Sequence, residues 1–207
     1  SSGVKYKNFV HNAQILADQL IYEYVTEKWR GSGDSKIARN ILDFPKNKDR
    51  LIIQSRKNWN TLIKDINDKY KIDDKYITFS NSKALLYHIY AINDKAGPNN
   101  QLINIDTDHI IPQASFRSSS IPEADYIRHA LFNLSPLPSQ QNKKKSSKPL
   151  ADIKDAWLIQ QIKDYSFIEK KDFKLFSNVS SYKKLRKKRR NFFEIIFLNN
   201  RDKRFNN

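Results

Sequence analysis

Helical periodicity fills the first ninety residues of this chain and then stops at a single break. From about 5 to 29, apolar side chains recur at Phe9, Val10, Ala13, Leu16, Ala17, Leu20, Ile21, Tyr24, Val25 and Trp29, the spacing of a long helix with one buried stripe. Gly31 and Gly33 stop it. Asp34 or Ser35 can cap a shorter helix through Ile37, Ile41 and Leu42 that ends before Pro45. A third helix covers about 48–70, with Leu51, Ile52, Trp59, Leu62, Ile63, Ile66 and Tyr70 on one side. The β-prone run Tyr76-Ile77-Thr78-Phe79 reads as a short strand or an extended link. Ser80-Asn81-Ser82 then offers caps for a helix through Ala84, Leu85, Leu86, Ile89, Tyr90 and Ile92. The break is Ala96-Gly97-Pro98-Asn99-Asn100, a loop signal. It divides the chain into a helical domain, 1–98, and a second domain, 99–207.

Beyond the break, two runs read as strands: Leu102 to Thr107 and Asn133 to Leu137. Between them, serines with Pro112 and Pro122 predict mostly loop, with room for a helical turn near Glu123 to Ala130. Ser139 to Lys148 is a cluster of lysines and small polar residues. Pro149 suits the first position of a helix carrying Leu150, Ile153, Ala156, Trp157 and Ile162. A last helix from about 180 to 199 mixes Leu185, Phe192, Phe193, Ile196 and Phe197 with Lys183, Lys184, Arg186, Lys187, Lys188, Arg189 and Arg190. The class is therefore α+β and mostly helical. Trp29, Trp59 and Trp157 fall on apolar faces and are expected in the core.

Composition narrows the partner. A formal charge of +16 on 207 residues favours nucleic acid or an anionic membrane surface. No apolar run reaches the ~20 residues a bilayer span requires, and no secretory leader is evident. The expectation is a cytoplasmic protein that meets nucleic acid, with no membrane. Cysteine is absent, so disulfides, thiolate metal sites and cysteine nucleophiles are excluded. Methionine is absent too, even at position 1, which points to a processed product or fragment and leaves open an N-terminal regulatory domain outside this chain.

The stretch that carries chemistry is Ile105-Asp106-Thr107-Asp108-His109-Ile110-Ile111-Pro112-Gln113. Phosphodiester hydrolysis needs an activated water and stabilisation of a charged transition state. A neutral histidine can take the water's proton, and a hard divalent cation can stabilise the growing charge. Such a cation prefers oxygen ligands, which Asp and Asn supply. On an extended backbone, Asp108 and His109 point to opposite faces. Asn142 is a second oxygen donor, and Lys143, Lys144 and Lys145 after it can neutralise substrate phosphates.

Asp108-His109-Ile110-Ile111-Pro112-Gln113, with Phe116 following, resembles the HNH, or ββα-metal, endonucleases, including the HNH domain of the RNA-guided CRISPR nucleases. Asn133-Leu134-Ser135-Pro136-Leu137-Pro138-Ser139-Gln140-Gln141-Asn142, then Ser146-Ser147-Lys148-Pro149-Leu150, is similar to the C-terminal HNH domain of Gmr-type modification-dependent restriction enzymes and related phage-defence proteins. The motif resemblance spans roughly residues 101 to 150. It implies a small ββα-metal core there, with Asp108 as first metal ligand and His109 as the general base. Asn133 would fix the loop carrying His109, Asn142 would be the second ligand, and Lys145 would contact the scissile phosphate or its neighbour. Asp106 would support the metal shell. An asparagine at the last motif position favours Mg2+ or Mn2+ over zinc. The implied function is a metal-dependent DNA endonuclease of restriction or phage defence, giving 5′-phosphate and 3′-hydroxyl ends.

Plainer readings stand beside these. An Asp-His pair alone is common at surfaces and caps, and Asn is favoured in turns. His129 reads as a helix-surface or loop residue, His88 as a partly buried helix residue, and His11 as solvent-facing. A basic run is usually a solvated face, yet the one at 183–190 runs round its helix, so Arg186, Arg189 and Arg190 are candidate phosphate contacts that position without specifying. The alternatives to a DNA endonuclease are a basic nucleic-acid-binding module with an inactive HNH-like site, and an RNase or toxin nuclease.

Overall fold

The computed structural model describes residues 2–29, 35, 48–72, 75–93 and 104–205. The helix expected through Ile37–Leu42 and the break at 96–100 lie outside them. The long first helix, α1 (Ser2–Val25), packs on α2 (Lys48–Lys69) and α3 (Phe79–Ile92). The stripes read on α2 and α3 turn inward, but of the stripe read on α1 Val25 is buried while Phe9, Leu16, Leu20 and Tyr24 are exposed; α1 packs instead through Ile15, Asp18 and Tyr22. Trp59 is fully buried among Tyr22, His88 and Phe197. Before α3 the chain makes a minimal antiparallel pair, β1 (Lys71–Ile72) with β2 (Lys75–Tyr76). Tyr76 is thus the end of a strand. Thr78, and not the serines that follow it, caps α3: its hydroxyl accepts from the Asn81 amide at 3.2 Å. Asn81 in turn donates to the Val25 carbonyl, closing the end of α1.

The second half is built on one hairpin-like pair, β3 (Ile105–His109) and β4 (Leu134–Pro138). They run antiparallel, with Asp106 opposite Leu137, Asp108 opposite Ser135 and His109 opposite Leu134. Both end past their expected place: β3 runs two residues further, to include Asp108 and His109, and β4 one residue further, to Pro138, while Asn133 closes a 3-10 turn (Leu131–Asn133) ahead of β4. The connection is not all loop, because α4 (Gln113–Arg117) and α5 (Ala124–Ile127) interrupt it. The lysine cluster is helical as well: α6 (Ser139–Lys145) leaves β4 directly and packs back on β3.

Pro149 does not open an α-helix. A 3-10 turn (Leu150–Asp152) follows it, and α7 (Ala156–Ser166) starts only where the Asp155 carboxylate caps the Leu158 amide at 2.7 Å. Trp157 then lies on the outer face of α7, 51% exposed, so it is not a core residue. After the short α8 (Phe173–Phe176), the last expected helix is one stack of three pieces: α9 (Tyr182–Asn191), a π-helical turn (Phe192–Ile196) and α10 (Phe197–Phe205). The extra residue of the π turn brings Phe192, Phe193 and Phe197 all inward.

Those phenylalanines pack with Ile15, Trp59, Leu85 and Tyr90, and with Leu131 and Leu134, in one apolar cluster. The division at 98/99 is therefore not a packing boundary, because the C-terminal helices complete the core of the N-terminal ones. A second cluster under the site joins Ile110, Ile111, Phe116 and Phe132 to Leu150, Leu158 and Leu185. The class is α+β, dominated by helix. Among the described residues no helix is long and apolar enough to cross a membrane.

Candidate functional site

Strand alternation and one helical turn build the site. On β3, Asp106 and Asp108 share a face, because successive strand side chains alternate. On α6, Asn142 and Lys145 are three apart and share the face turned to β3. The result is two rungs. The Asn142 amide donates from Nδ2 to Asp106 Oδ2 at 3.3 Å, and Lys145 Nζ donates to Asp108 Oδ1 at 2.8 Å. Lys145 also donates to the His109 carbonyl at 2.8 Å. The second rung is closed from water, with Lys145 1% and Asp108 5% exposed. Burial raises the Asp108 carboxyl above its ordinary pKa, an effect that Lys145 only partly offsets.

His109 projects to the other face of β3. Phe79, at the start of α3, stacks on its ring with centroids 5.4 Å apart. The side-chain amide of Gln113 lies 3.2 Å from its ring nitrogens, and His129 Nδ1 lies 3.3 Å from its Nε2. The bonding direction follows from Arg128. Its guanidinium has only donors and gives a hydrogen bond to His129 Nε2 at 3.0 Å. His129 must then carry its proton on Nδ1 and donate it to His109 Nε2. Burial, followed by the nearby His129, Lys145 and Arg128, depresses the His109 pKa to about 3. Burial and then Arg128 depress that of His129. Both rings are neutral at pH 7.

Asn133 is fully buried and bridges the turn after His109. Its Oδ1 accepts from the Ile111 amide at 2.9 Å, and its Nδ2 donates to the carbonyls of Ile111 at 3.2 Å and Arg128 at 2.9 Å. Its own carbonyl accepts from the Ile110 amide at 2.8 Å. One side chain thus fixes the segment of His109 to that of His129. Around these groups lies an open cleft of about 340 Å³, and Asp108, His109, Gln113, Asn142 and Lys143 all contribute to its wall.

Asp108 and Asn142 give this cleft oxygen donors and no sulfur, which suits a hard divalent cation. Among the described residues no three His, Cys, Asp or Glu side chains gather as a ligand cluster. A cation here would draw on one carboxylate and one amide, with water and substrate phosphate completing its shell, the usual manner of magnesium.

The sequence reading placed two cations wrongly. Lys145 is not an exposed phosphate contact, because it is spent in the buried rung. Arg189 is not one either: it is fully buried, and its Nη1 donates to the carbonyls of Leu131 at 3.3 Å, Phe132 at 2.7 Å and Leu134 at 2.7 Å, with Nη2 on the Tyr90 hydroxyl at 3.1 Å. It clamps the turn containing Asn133. A helix carrying Leu185 inward must also turn in position 189, four residues on. Arg186 is half-buried against the Tyr70 hydroxyl at 2.9 Å. Arg190 pairs with Glu194 at 2.6 Å and Asp68 at 3.2 Å. Lys143 and Lys144 are both exposed; Lys143 lines the cleft, whereas Lys144 reaches toward α7, over the Trp157 ring and 3.9 Å from Asp155.

His129 is the functional candidate the sequence reading set aside. Its one local signal was its place four residues before Asn133, whose bond to the Arg128 carbonyl brings it to His109. Phe79 lies thirty residues upstream, with nothing in its spacing to mark it. Compared with family models, curated proteins and solved structures, the chain matches none.

Proposed function

We propose that the chain is a divalent-metal-dependent endonuclease of the HNH, or ββα-metal, type, hydrolysing DNA phosphodiester bonds. One observation carries this reading. Asp108, His109 and Asn142, singled out by motif, all line one cleft made by two antiparallel strands and the helix that follows them. In this reading Asp108 and Asn142 hold Mg2+ or Mn2+, which would stabilise the leaving oxygen and the added negative charge on the phosphate. His109 is a neutral imidazole and takes the proton of the attacking water at Nε2, in exchange for the hydrogen bond from His129. Asn133 keeps the turn beneath His109 from drifting, the kind of support that reactive geometry depends on. Asp106 holds the Asn142 amide nitrogen, leaving its oxygen for the cleft. Lys143 and Lys144 bring the backbone phosphates in, and the charge of +16 supports a polyanionic substrate. Restriction or phage defence is the wider role that the motif resemblance implies.

Plasmid nicking in Mg2+, Mn2+ or EDTA tests the reading. The expected result is metal-dependent nicking that His109→Ala lowers by about 10²–10⁴-fold, the worth of a positioned general base. Equal nicking by the variant would remove His109 from the mechanism. The rival, a basic binding module with a silent site, is favoured by the Lys145–Asp108 pair, which occupies a ligand. It predicts salt-sensitive DNA binding with no nicking in any metal.

A further inference from the structure

We propose that Lys145 sets the metal affinity of the cleft: its ammonium is the resident counter-cation of Asp108, and a divalent ion competes with it for that carboxylate. The proposal rests on the nuclease reading and deepens it. Three consecutive lysines end α6, yet only the third turns inward. Lys143 and Lys144 are exposed, whereas Lys145 is 1% exposed with Nζ 2.8 Å from both Asp108 Oδ1 and the His109 carbonyl.

A lysine is seldom buried this completely without a partner that requires it. Asp108 is such a partner: its carboxylate lies in the interior, and among the described residues the one cation that touches it is Lys145. Arg189 acts on it through space alone. The pair is also built into the backbone, since the same ammonium ties down the peptide of His109. In the metal-free protein this stores Asp108 as a neutral pair, so the carboxylate stays in place without drawing in water.

The consequence for a cation is competition. A dication on Asp108 would share the carboxylate with an ammonium already within contact distance of it, and the two positive charges repel strongly in a buried setting. Asn142 is neutral and Asp106 stands on the neighbouring rung, so neither cancels that repulsion at Asp108. The cleft therefore binds metal weakly alone and more tightly when a substrate phosphate adds negative charge beside it.

Mn2+ titration of the full chain, followed by electron paramagnetic resonance with the metal alone, reads this directly. Lys145→Met should bind Mn2+ at least about tenfold more tightly than the unmodified chain. Lys145→Arg, which keeps the charge, should stay at the unmodified affinity. Asp108→Asn combined with Lys145→Met should lose the gain. Equal or weaker binding by a folded Lys145→Met overturns the proposal and leaves the nuclease reading standing. Binding by none of the forms overturns both.

Should Lys145→Met not fold, the unmodified chain still decides. The buried lysine ammonium resonance, assigned by its loss in Lys145→Arg, should shift on Mg2+ addition. A resonance unmoved at saturating Mg2+ overturns the proposal.

Discussion

Asp18 and Asp108 are each buried with a basic partner, and their surroundings differ. Asp18, 1% exposed, takes hydrogen bonds from four side chains on three other helices: Arg201 (Nη2 at 2.6 Å, Nε at 3.0 Å), His88 at 2.8 Å, Trp59 at 2.9 Å and Ser55 at 3.4 Å. Burial works to raise its pKa, but His88 and Arg201 outweigh it and hold the carboxyl below its ordinary value. Asp108 has one ammonium and a backbone contact, and there burial wins, so its pKa is raised. Asp18 is a knot joining α1, α2, α3 and α10, with its lone pairs used up. Asp108 is held just well enough to stay in place and faces a cleft. Buried charge by itself does not mark a site; a buried carboxylate short of donors beside open space does.

The largest test of this contrast is paired neutral replacement, read by denaturant unfolding. Asp18→Leu with Arg201→Met should cost about 3 kcal/mol or more, because His88, Trp59 and Ser55 lose their shared acceptor. Asp108→Leu with Lys145→Met should stay within about 1 kcal/mol of the parent, since replacing a sparsely bonded buried pair by apolar groups is often neutral. Equal losses would dissolve the distinction. Single breaks should follow the same order. Arg201→Met should cost about 3–5 kcal/mol. Lys145→Met should cost about 1–3 kcal/mol, because Asp108, with its raised pKa, can escape by taking a proton.

Acid should separate the two next. The Asp18 pKa is lower in the folded protein than in the unfolded chain. Its contribution is complete above about pH 4 and is lost as pH falls through the folded value. Asp108 has the opposite sign: its folded pKa lies above 3.8, so stability present in acid is lost as pH rises through that raised value. His109 is shifted from 6.5 to about 3, so the unfolded chain takes the proton first and stability falls as pH drops across that window. Each proton contributes a slope of at most about 1.4 kcal/mol per pH unit. Melting temperature against pH should flatten between 6.5 and 3 in His109→Gln, and below about 4 in Asp18→Asn. A profile unchanged in either variant would contradict the corresponding assignment.

The contrast also shows which parts of the molecule were legible in its residues. Helix content was legible because Trp59, Leu62, Ile63 and Ile66 on α2, and Leu85 and Ile89 on α3, recur at helical spacing, and both strands of the β3–β4 pair were legible from short apolar runs. The cleft was partly so: Asp108, His109 and Asn142 carry a motif, and the motif brought in Asn133. What could not be read is side-chain direction where composition is monotonous. Nothing in Lys143-Lys144-Lys145 says which lysine turns inward until α6 is known to start at Ser139 and pack on β3. Arg189 and Trp157 exchanged places for the same reason, since the phase of α9 and the late start of α7 are set by tertiary packing. Phe79 and His129 reach His109 only through the fold, and Asp18–Arg201 closes over 183 residues of sequence.

The smallest expected effect lies between the two carboxylates, at Asp106. It shares a strand face with Asp108 but is only half-buried, and its described side-chain bond is the 3.3 Å contact from the Asn142 amide. A partly exposed hydrogen bond of this kind contributes about 0.5–1.5 kcal/mol at most, so Asp106→Ala should hardly move the unfolding midpoint. Its influence should appear in metal dependence. Without an acceptor for its nitrogen, the Asn142 amide is free to turn, and its oxygen is no longer held toward the cleft. The Mg2+ concentration for half-maximal nicking should then rise severalfold, as outer contacts of metal ligands typically act, with the maximal rate nearly unchanged. Asp106→Asn keeps an acceptor oxygen at the same reach and should recover most of the loss. A fall in maximal rate with unaltered Mg2+ dependence would instead make Asp106 a reacting group, and the distinction between its rung and that of Asp108 would have to be redrawn.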